Sequence, residues 1–274
     1  MQLSYPGGQL DLGSPVVMGI LNVTPDSFSD GGRYATPDAA ISHGLQLVAE
    51  GAAILDVGGE STRPGAVAVP AAEQLRRVLP VIEALRARND VLVSIDTSEP
   101  EVIRAAAAAG AGLVNDVRGL MRPGALEAVA DTGVAACLMH MRGEPATMQQ
   151  SVQYADVLVE VRAMLAGRMA ACAEAGVAAE RLCVDPGFGF GKLAAHNLEL
   201  LRRLDELLDL GRPLLVGLSR KSMLRELTGR PAQERLAGSV ALATAAVLKG
   251  ASIVRAHDVA ATCDAVRVAA AISN

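Results

Sequence analysis

Short apolar runs alternate with longer amphipathic stretches along the whole chain. The runs occupy 16–23, 53–57, 91–95, 113–114, 135–139, 182–184, 214–218 and 252–254. Each is too short for a core helix and most are rich in β-branched residues. That pattern predicts strands buried on both faces, and hence a parallel sheet. Helical stretches lie between them. One opens at Thr36-Pro37, with Thr as N-cap and Pro at the first helical position, and stops at Gly51. Another opens with Ser98-Glu99-Pro100-Glu101, a capping-box pattern, and runs through five alanines to Gly110. A third has Pro123 near its start and Gly133 after its end. Pro80 falls inside a helix near 71–88 and predicts a kink there.

Eight strands alternating with helical segments predict an α/β fold, a (β/α)8 TIM barrel, with a doubly wound open sheet as the alternative. No linker, charge block or low-complexity run divides the chain, so one domain over 1–274 is expected. The first fifteen residues fit neither period and read as a short N-terminal cap on the bottom of the barrel.

Each predicted strand delivers a polar group at its C-terminal end. In order these are Asn22; Asp56, Glu60 and Arg63; Asp96; Asn115 and Asp116; His140; Asp185; Ser219, Arg220 and Lys221; and Arg255 with His257. In barrels that face carries the active site. Ordinary loop polarity explains part of the pattern. It does not explain carboxylates such as Asp56, Asp96 and Asp185 directly abutting apolar runs, where an unpaired charge is costly.

Arg63, Arg220, Lys221, Arg255 and His257, with a helix N-terminus expected near Ser222, form an anion-binding inventory. Asn22 and nearby carboxylates suit Mg²⁺ on a phosphate-bearing substrate. Asp96, Asn115 and Asp185 supply acceptors for the N–H edge of a nitrogen heterocycle. The segments 24–32 and 58–65 mix Gly, Pro, hydroxyls and charge, as catalytic lids do.

Composition sharpens this reading at two points. There are only three lysines, 192, 221 and 249, against 22 arginines. Lys221 directly follows a strand, which favours a ligand contact. The three phenylalanines, 28, 188 and 190, all fall in strand-end loops. They are better placed to cover a flat ligand than to fill a core, although core filling stays open for Phe188.

The net charge of −5 argues against a general nucleic-acid binder. No run is long enough to span a membrane, and no signal-peptide pattern opens the chain. The four cysteines, 137, 172, 183 and 263, are scattered and read as buried free thiols. A cytoplasmic location is therefore expected.

Several segments together resemble the dihydropteroate synthase family. The first runs from Met18 through Asn22-Val23-Thr24-Pro25-Asp26-Ser27 to Gly31-Gly32. The second runs from Leu55-Asp56-Val57-Gly58-Gly59-Glu60 to Ser61-Thr62-Arg63-Pro64-Gly65. Further matches are Asp96-Thr97, Asn115-Asp116, Met139-His140-Met141, Asp185-Pro186-Gly187-Phe188-Gly189-Phe190-Gly191-Lys192, Gly217-Leu218-Ser219-Arg220-Lys221-Ser222 and Arg255-Ala256-His257-Asp258-Val259. The resemblance covers about residues 16 to 260 and departs at Leu193-Ala194-Ala195, where many members are more polar.

It implies condensation of 6-hydroxymethyl-7,8-dihydropterin diphosphate with 4-aminobenzoate, giving 7,8-dihydropteroate and pyrophosphate in folate biosynthesis, a reaction that sulfonamides target. By that resemblance Asp96, Asn115, Asp185, Lys221 and Arg255 hold the pterin. Asn22, Arg63, Arg255 and His257 hold the diphosphate, with Mg²⁺ on Asn22. Phe28, Thr62, Pro64, Phe190 and Ser222 form the aminobenzoate site. Asp96, Asp185, Lys221 and Arg63 carry the catalysis, and a homodimer is implied, with the helix near 234–249 as its candidate contact. The alternatives are a non-catalytic pterin-binding paralogue and a pterin-dependent corrinoid methyltransferase, which would not need the Thr62-Arg63-Pro64 loop. A metal-dependent hydrolase barrel is disfavoured by the scarcity of histidines.

Overall fold

Side chains alternate across every strand, and that period of two builds the barrel. The computed structural model describes residues 1–24, 36–61, 65–145, 147–149 and 152–273. A hairpin of β1 (Gln2–Tyr5) and β2 (Gly8–Asp11) comes first. Eight parallel strands follow: β3 (Val16–Asn22), β4 (Ile54–Gly58), β5 (Leu92–Asp96), β6 (Leu113–Asp116), β7 (Ala135–Met139), β8 (Leu182–Asp185), β9 (Leu215–Gly217) and β10 (Ile253–Ala256). Their spatial order is β8-β7-β6-β5-β4-β3-β10-β9. The two ends meet where the Val184 N–H donates to the Pro213 carbonyl at 3.0 Å and Val184 bridges Leu214. The sheet therefore closes into a (β/α)8 barrel, and the open-sheet alternative falls.

One set of alternate residues, including Met18, Ile54, Leu92, Leu113, Cys183 and Ile253, forms a buried cluster inside the barrel. The other set, including Val17, Leu55, Val93, Val114 and Val254, packs outward in the larger helix–sheet core. Leu3 and Leu12 join the interior cluster. The hairpin is thus a plug at the end where the strands begin, as the cap reading required.

The helices are α1 (Pro37–Ala49), α2 (Ala71–Arg86), α3 (Pro100–Ala108), α4 (Ala125–Thr132), α5 (Val157–Glu174), α6 (Ala194–Arg202), α7 (Ser222–Thr228), α8 (Leu236–Leu248) and α9 (Val259–Ser273). Thr36 caps α1, its hydroxyl accepting from the Ala39 N–H at 3.3 Å. α4 ends at Gly133, whose φ of 75° is the left-handed stop that glycine supplies. α2 runs unbroken through Pro80.

The capping-box expectation for α3 fails. Ser98 turns its hydroxyl to Asp116 instead, and the cap residue Glu99 makes no side-chain cap bond. A buried carboxylate outcompetes a helix terminus for that donor. No helix among the described residues is long and apolar enough to cross a membrane.

Leu3 is fully buried at the base of the barrel. Leu3→Ala is expected to cost about 2–5 kcal/mol in urea unfolding, the usual range for such a core truncation. A loss below about 1 kcal/mol would mean that the hairpin is not part of the core.

Candidate active site

The parity that fills the barrel floor with apolar side chains continues upward into polar ones. Two residues beyond Ile54 stands Asp56; beyond Leu92 come Ser94 and Asp96; beyond Leu113, Asn115; beyond Cys183, Asp185; beyond Ile253, Arg255. These groups meet inside the C-terminal mouth of the barrel. Arg255 donates from Nε to Asp56 Oδ2 at 2.6 Å and from Nη2 to Asp96 Oδ2 at 2.8 Å. Asn115 Nδ2 donates to Asp56 Oδ2 at 2.9 Å, and the Ser94 hydroxyl to Asp56 Oδ1 at 2.6 Å. Asp56 is fully buried.

One guanidinium thus serves two carboxylates. Burial and the neighbouring Asp56 charge hold Asp96 above the usual carboxylate range, against the pull of Arg255. Burial works against the Arg255 charge, but the carboxylates more than offset it and raise its pKa. Burial also pushes Asp185 up to about 6, restrained by a 2.7 Å bond from the Gly187 N–H and by Lys221, Lys192 and Arg255. Asn115 Oδ1 is buried and has no hydrogen-bond partner among the described residues. The arrangement is a cup of buried acceptors, short of donors.

The wall beside Asp185 is held by a buried amine. Lys192 Nζ donates to the carbonyls of Gly187 at 2.9 Å and Phe190 at 3.1 Å, and lies 2.9 Å from His140 Nδ1. Burial brings Lys192 down to about 7 and, with the Lys192 charge, His140 down to about 3. The two loops it joins touch so closely that a Cβ on Gly187, whose φ is 70°, would stand 1.9 Å from the His140 carbonyl oxygen. Only glycine fits there. Phe190 is left half-buried, with Lys221 Nζ 4.2 Å from its ring centroid, a cation–π contact. Phe188, by contrast, is 1% exposed and belongs to the helix–sheet core, so of its two readings the core one holds.

The third wall follows β9 and β10. Ser219 Oγ is 3.0 Å from His257 Nδ1 and accepts from the His257 N–H. Arg220 takes a φ of 57°, a left-handed conformation that costs a non-glycine residue about 1–2 kcal/mol. It is held there by its N–H on Ser239 Oγ, by Arg235 Nη1 on its carbonyl, and by a 2.7 Å ion pair with Asp258. This turn presents Lys221, and after it Ser222 as the exposed first residue of α7. Asn22 ends β3, where a Cβ on Gly58 would lie 3.5 Å from both Asn22 Oδ1 and Asp96 Cβ.

Asn22, Asp96, Asn115, Asp185, Phe190, Lys221, Ser222, Arg255 and His257 therefore all occupy the strand-end face. Contacts or charge effects link Asp96, Asp185, Lys221 and Arg255, and Asn115 joins them through Asp56. Phe28, Thr62, Arg63 and Pro64 lie outside the described residues, as do 25–32 of the first expected lid and 62–64 of the second.

Asp56 carries more than its sequence reading assigned: from within β4 it joins Ser94, Asn115 and Arg255. The signal was its parity with Ile54. The scarcity of lysine and the matched segment 185–192 single out Lys192 without indicating its structural role. Asp116 faces the other way and receives Ser98 and the N–H groups of Arg118 and Leu120, a structural role.

The pattern of the family described as pterin binding enzyme matches residues 18–257. The chain is 53% identical over 268 residues, 98% of its length, to the dihydropteroate synthase of Escherichia coli (strain K12), 95% of which is covered. The chain belongs to the dihydropteroate synthase family. Its fold agrees with solved members. The Yersinia pestis dihydropteroate synthase in complex with a sulfonamide drug superposes with a TM-score of 0.96 at 51% identity, covering 99% of both chains. The Xanthomonas albilineans dihydropteroate synthase in complex with 7,8-dihydropteroate gives a TM-score of 0.88 at 48% identity, covering 99% of this chain and 98% of that one. Membership makes this chain a transferase of folate biosynthesis.

The Lys192 amine has a measurable signature. Its folded pKa of about 7 lies below the ordinary 10.5, so between those values the unfolded chain binds more protons than the folded one. Its contribution to stability must therefore rise with pH over that window. The wild-type minus Lys192→Met difference in unfolding free energy is expected to climb between pH 7 and 9.5, by at most about 1.4 kcal/mol per pH unit. A flat difference would contradict a buried, discharged amine.

Proposed function

We propose that the cup of buried acceptors binds the pterin of 6-hydroxymethyl-7,8-dihydropterin diphosphate and directs 4-aminobenzoate onto its methylene carbon by a dissociative substitution. The observation that carries this reading is Asn115 Oδ1, buried and without a hydrogen-bond partner among the described residues, on the barrel face that also holds the buried Asp96 and Asp185 carboxylates. Three adjoining acceptors fit the N–H-rich edge of a pterin, and leaving such an acceptor dry and unpaired costs about 1–3 kcal/mol that a ligand donor removes. Arg255, anchored at two atoms, is placed to cover the ring. Lys221 is assigned to the same ring, between Phe190 and Asp185.

In the reaction the C–O bond to the diphosphate breaks as positive charge develops at the pterin methylene. Asp96 and Asp185 stabilise that charge electrostatically. The arylamine nitrogen then forms the C–N bond and sheds its proton, and pyrophosphate leaves. No covalent bond to the enzyme is made. Asn22, Arg63, Arg255 and His257 are assigned to the diphosphate. Phe28, Thr62, Pro64, Phe190 and Ser222 are assigned to the aminobenzoate, with Ser222 at its carboxylate.

Mg²⁺ fits this site. Asn22 offers an amide oxygen at the end of β3 over the bare Gly58, and a hard cation that keeps water and substrate phosphates needs few protein oxygens. When bound it would neutralise the leaving group. We further assign the enzyme to the cytoplasm, in keeping with four free buried cysteines, and to a homodimer formed on the α8–α9 face, where Leu236, Leu248, Val268 and Ile272 are exposed.

The test is to supply both substrates with Mg²⁺ and measure pyrophosphate and dihydropteroate together. Equal amounts, formed only with both substrates, are expected, and Asp185→Asn should lower kcat/KM about 100-fold. Borohydride added during turnover should trap nothing on Lys221. Pterin binding without product would favour a non-catalytic paralogue, and a trapped adduct would overturn the dissociative route.

A further inference from the structure

Asp56 is enclosed beneath the pocket, and every described contact of its carboxylate is with a donor from another strand. Oδ1 receives Ser94, while Oδ2 receives both Arg255 Nε and Asn115 Nδ2. An amide side chain has one acceptor end and one donor end, and either can in principle face a ligand. In Asn115 that choice is made by Asp56. A carboxylate holding three donors has nothing to donate, so the Asn115 NH₂ must turn to it. The amide oxygen is thereby the end left buried and, among the described residues, without a partner. Were the amide reversed, two oxygens would face each other in a buried site, each without the donor it needs.

We infer that Asp56 is a positioning residue that fixes the hydrogen-bond polarity of the pocket: through Asn115 it makes the buried amide an acceptor, so that the site selects a heterocycle edge presenting an N–H there. The inference rests on the pterin reading above and adds to it a residue that touches no substrate. It also separates two roles Asp56 could fill. One is charge, as a counter-ion of Arg255, which Asp96 shares at 2.8 Å. The other is geometry, as the acceptor that locks Asn115.

The two roles predict different variants. Asp56→Asn removes the charge but keeps an oxygen where Oδ2 stands, with its own NH₂ turned to the Ser94 oxygen. Asp56→Leu has nearly the same shape and keeps neither charge nor acceptor. The measurement is the dissociation constant of 6-hydroxymethylpterin, read from the ligand's own fluorescence. It is accompanied by the KM for 4-aminobenzoate at saturating pterin diphosphate.

Asp56→Asn is expected to bind within about 5-fold of wild type, and Asp56→Leu to lose about 30-fold or more, the range for a buried polar group stranded without its partner. The aminobenzoate KM should stay within about 2-fold in Asp56→Asn, because the effect runs through the pterin pocket. Asp56→Ala, which removes the acceptor without adding an apolar branch, should fall with Asp56→Leu and serves in its place if that variant does not fold. Equal losses in Asp56→Asn and in the leucine or alanine variant would mean that charge alone matters and would overturn the inference. So would wild-type affinity in the leucine or alanine variant. Wild-type protein that binds no pterin would instead overturn the functional reading itself.

Discussion

The site depends on one partly buried guanidinium shared by two carboxylates. Arg255 reaches Asp56 and Asp96 at 2.6 and 2.8 Å inside the barrel mouth, with Asp56 wholly out of solvent. A buried ion pair is seldom a net source of stability, because desolvating its members costs several kcal/mol. Here the charges do not even balance, and burial with the Asp56 charge holds Asp96 above its usual range. Such a cluster is retained for what it does. It keeps the mouth rich in acceptors and able to favour positive charge, as expected of a site where a cation develops on the substrate.

Everything around this cluster serves to aim it. The hairpin plug and the apolar floor exclude water from below. The Lys192 amine ties the loops after β7 and β8 together, and with them the backbone that carries Asp185 and Phe190. The left-handed Arg220, pinned by Ser239, Arg235 and Asp258, turns Lys221 and Ser222 toward the same face. Local strain at that turn is offset by three separate contacts, a pattern common where geometry is functional.

Much of this was legible in the chain. The short β-branched runs marked all eight barrel strands, because strands buried on both faces admit little else, and the polar residues following them marked the mouth. The aspartates and Arg255 stood out because charge beside an apolar run needs a partner. The identity of the partners did not follow. Asp56 reads only as one polar group among those at the strand ends, because a run of apolar letters does not say which distant donors its carboxylate meets. Ser98 read as a helix cap, because local spacing cannot show that Asp116, eighteen positions on, lies within reach. The sequence keeps both ligand cover and core open for Phe188, because a glycine-rich loop hides which side chain turns inward. Each case turned on a contact made by distant parts of the chain, which local pattern cannot contain.

The central claim is that buried acceptors read the pterin ring itself. The most direct measurement is calorimetric titration of wild-type protein with 6-hydroxymethyl-7,8-dihydropterin, lacking the diphosphate, in EDTA and without aminobenzoate. The account predicts saturable one-to-one binding under those conditions, because Asp96, Asn115 and Asp185 require neither metal nor phosphate to receive the ring. Binding that appears only when diphosphate and Mg²⁺ are both supplied would contradict it and place recognition in the anion site instead.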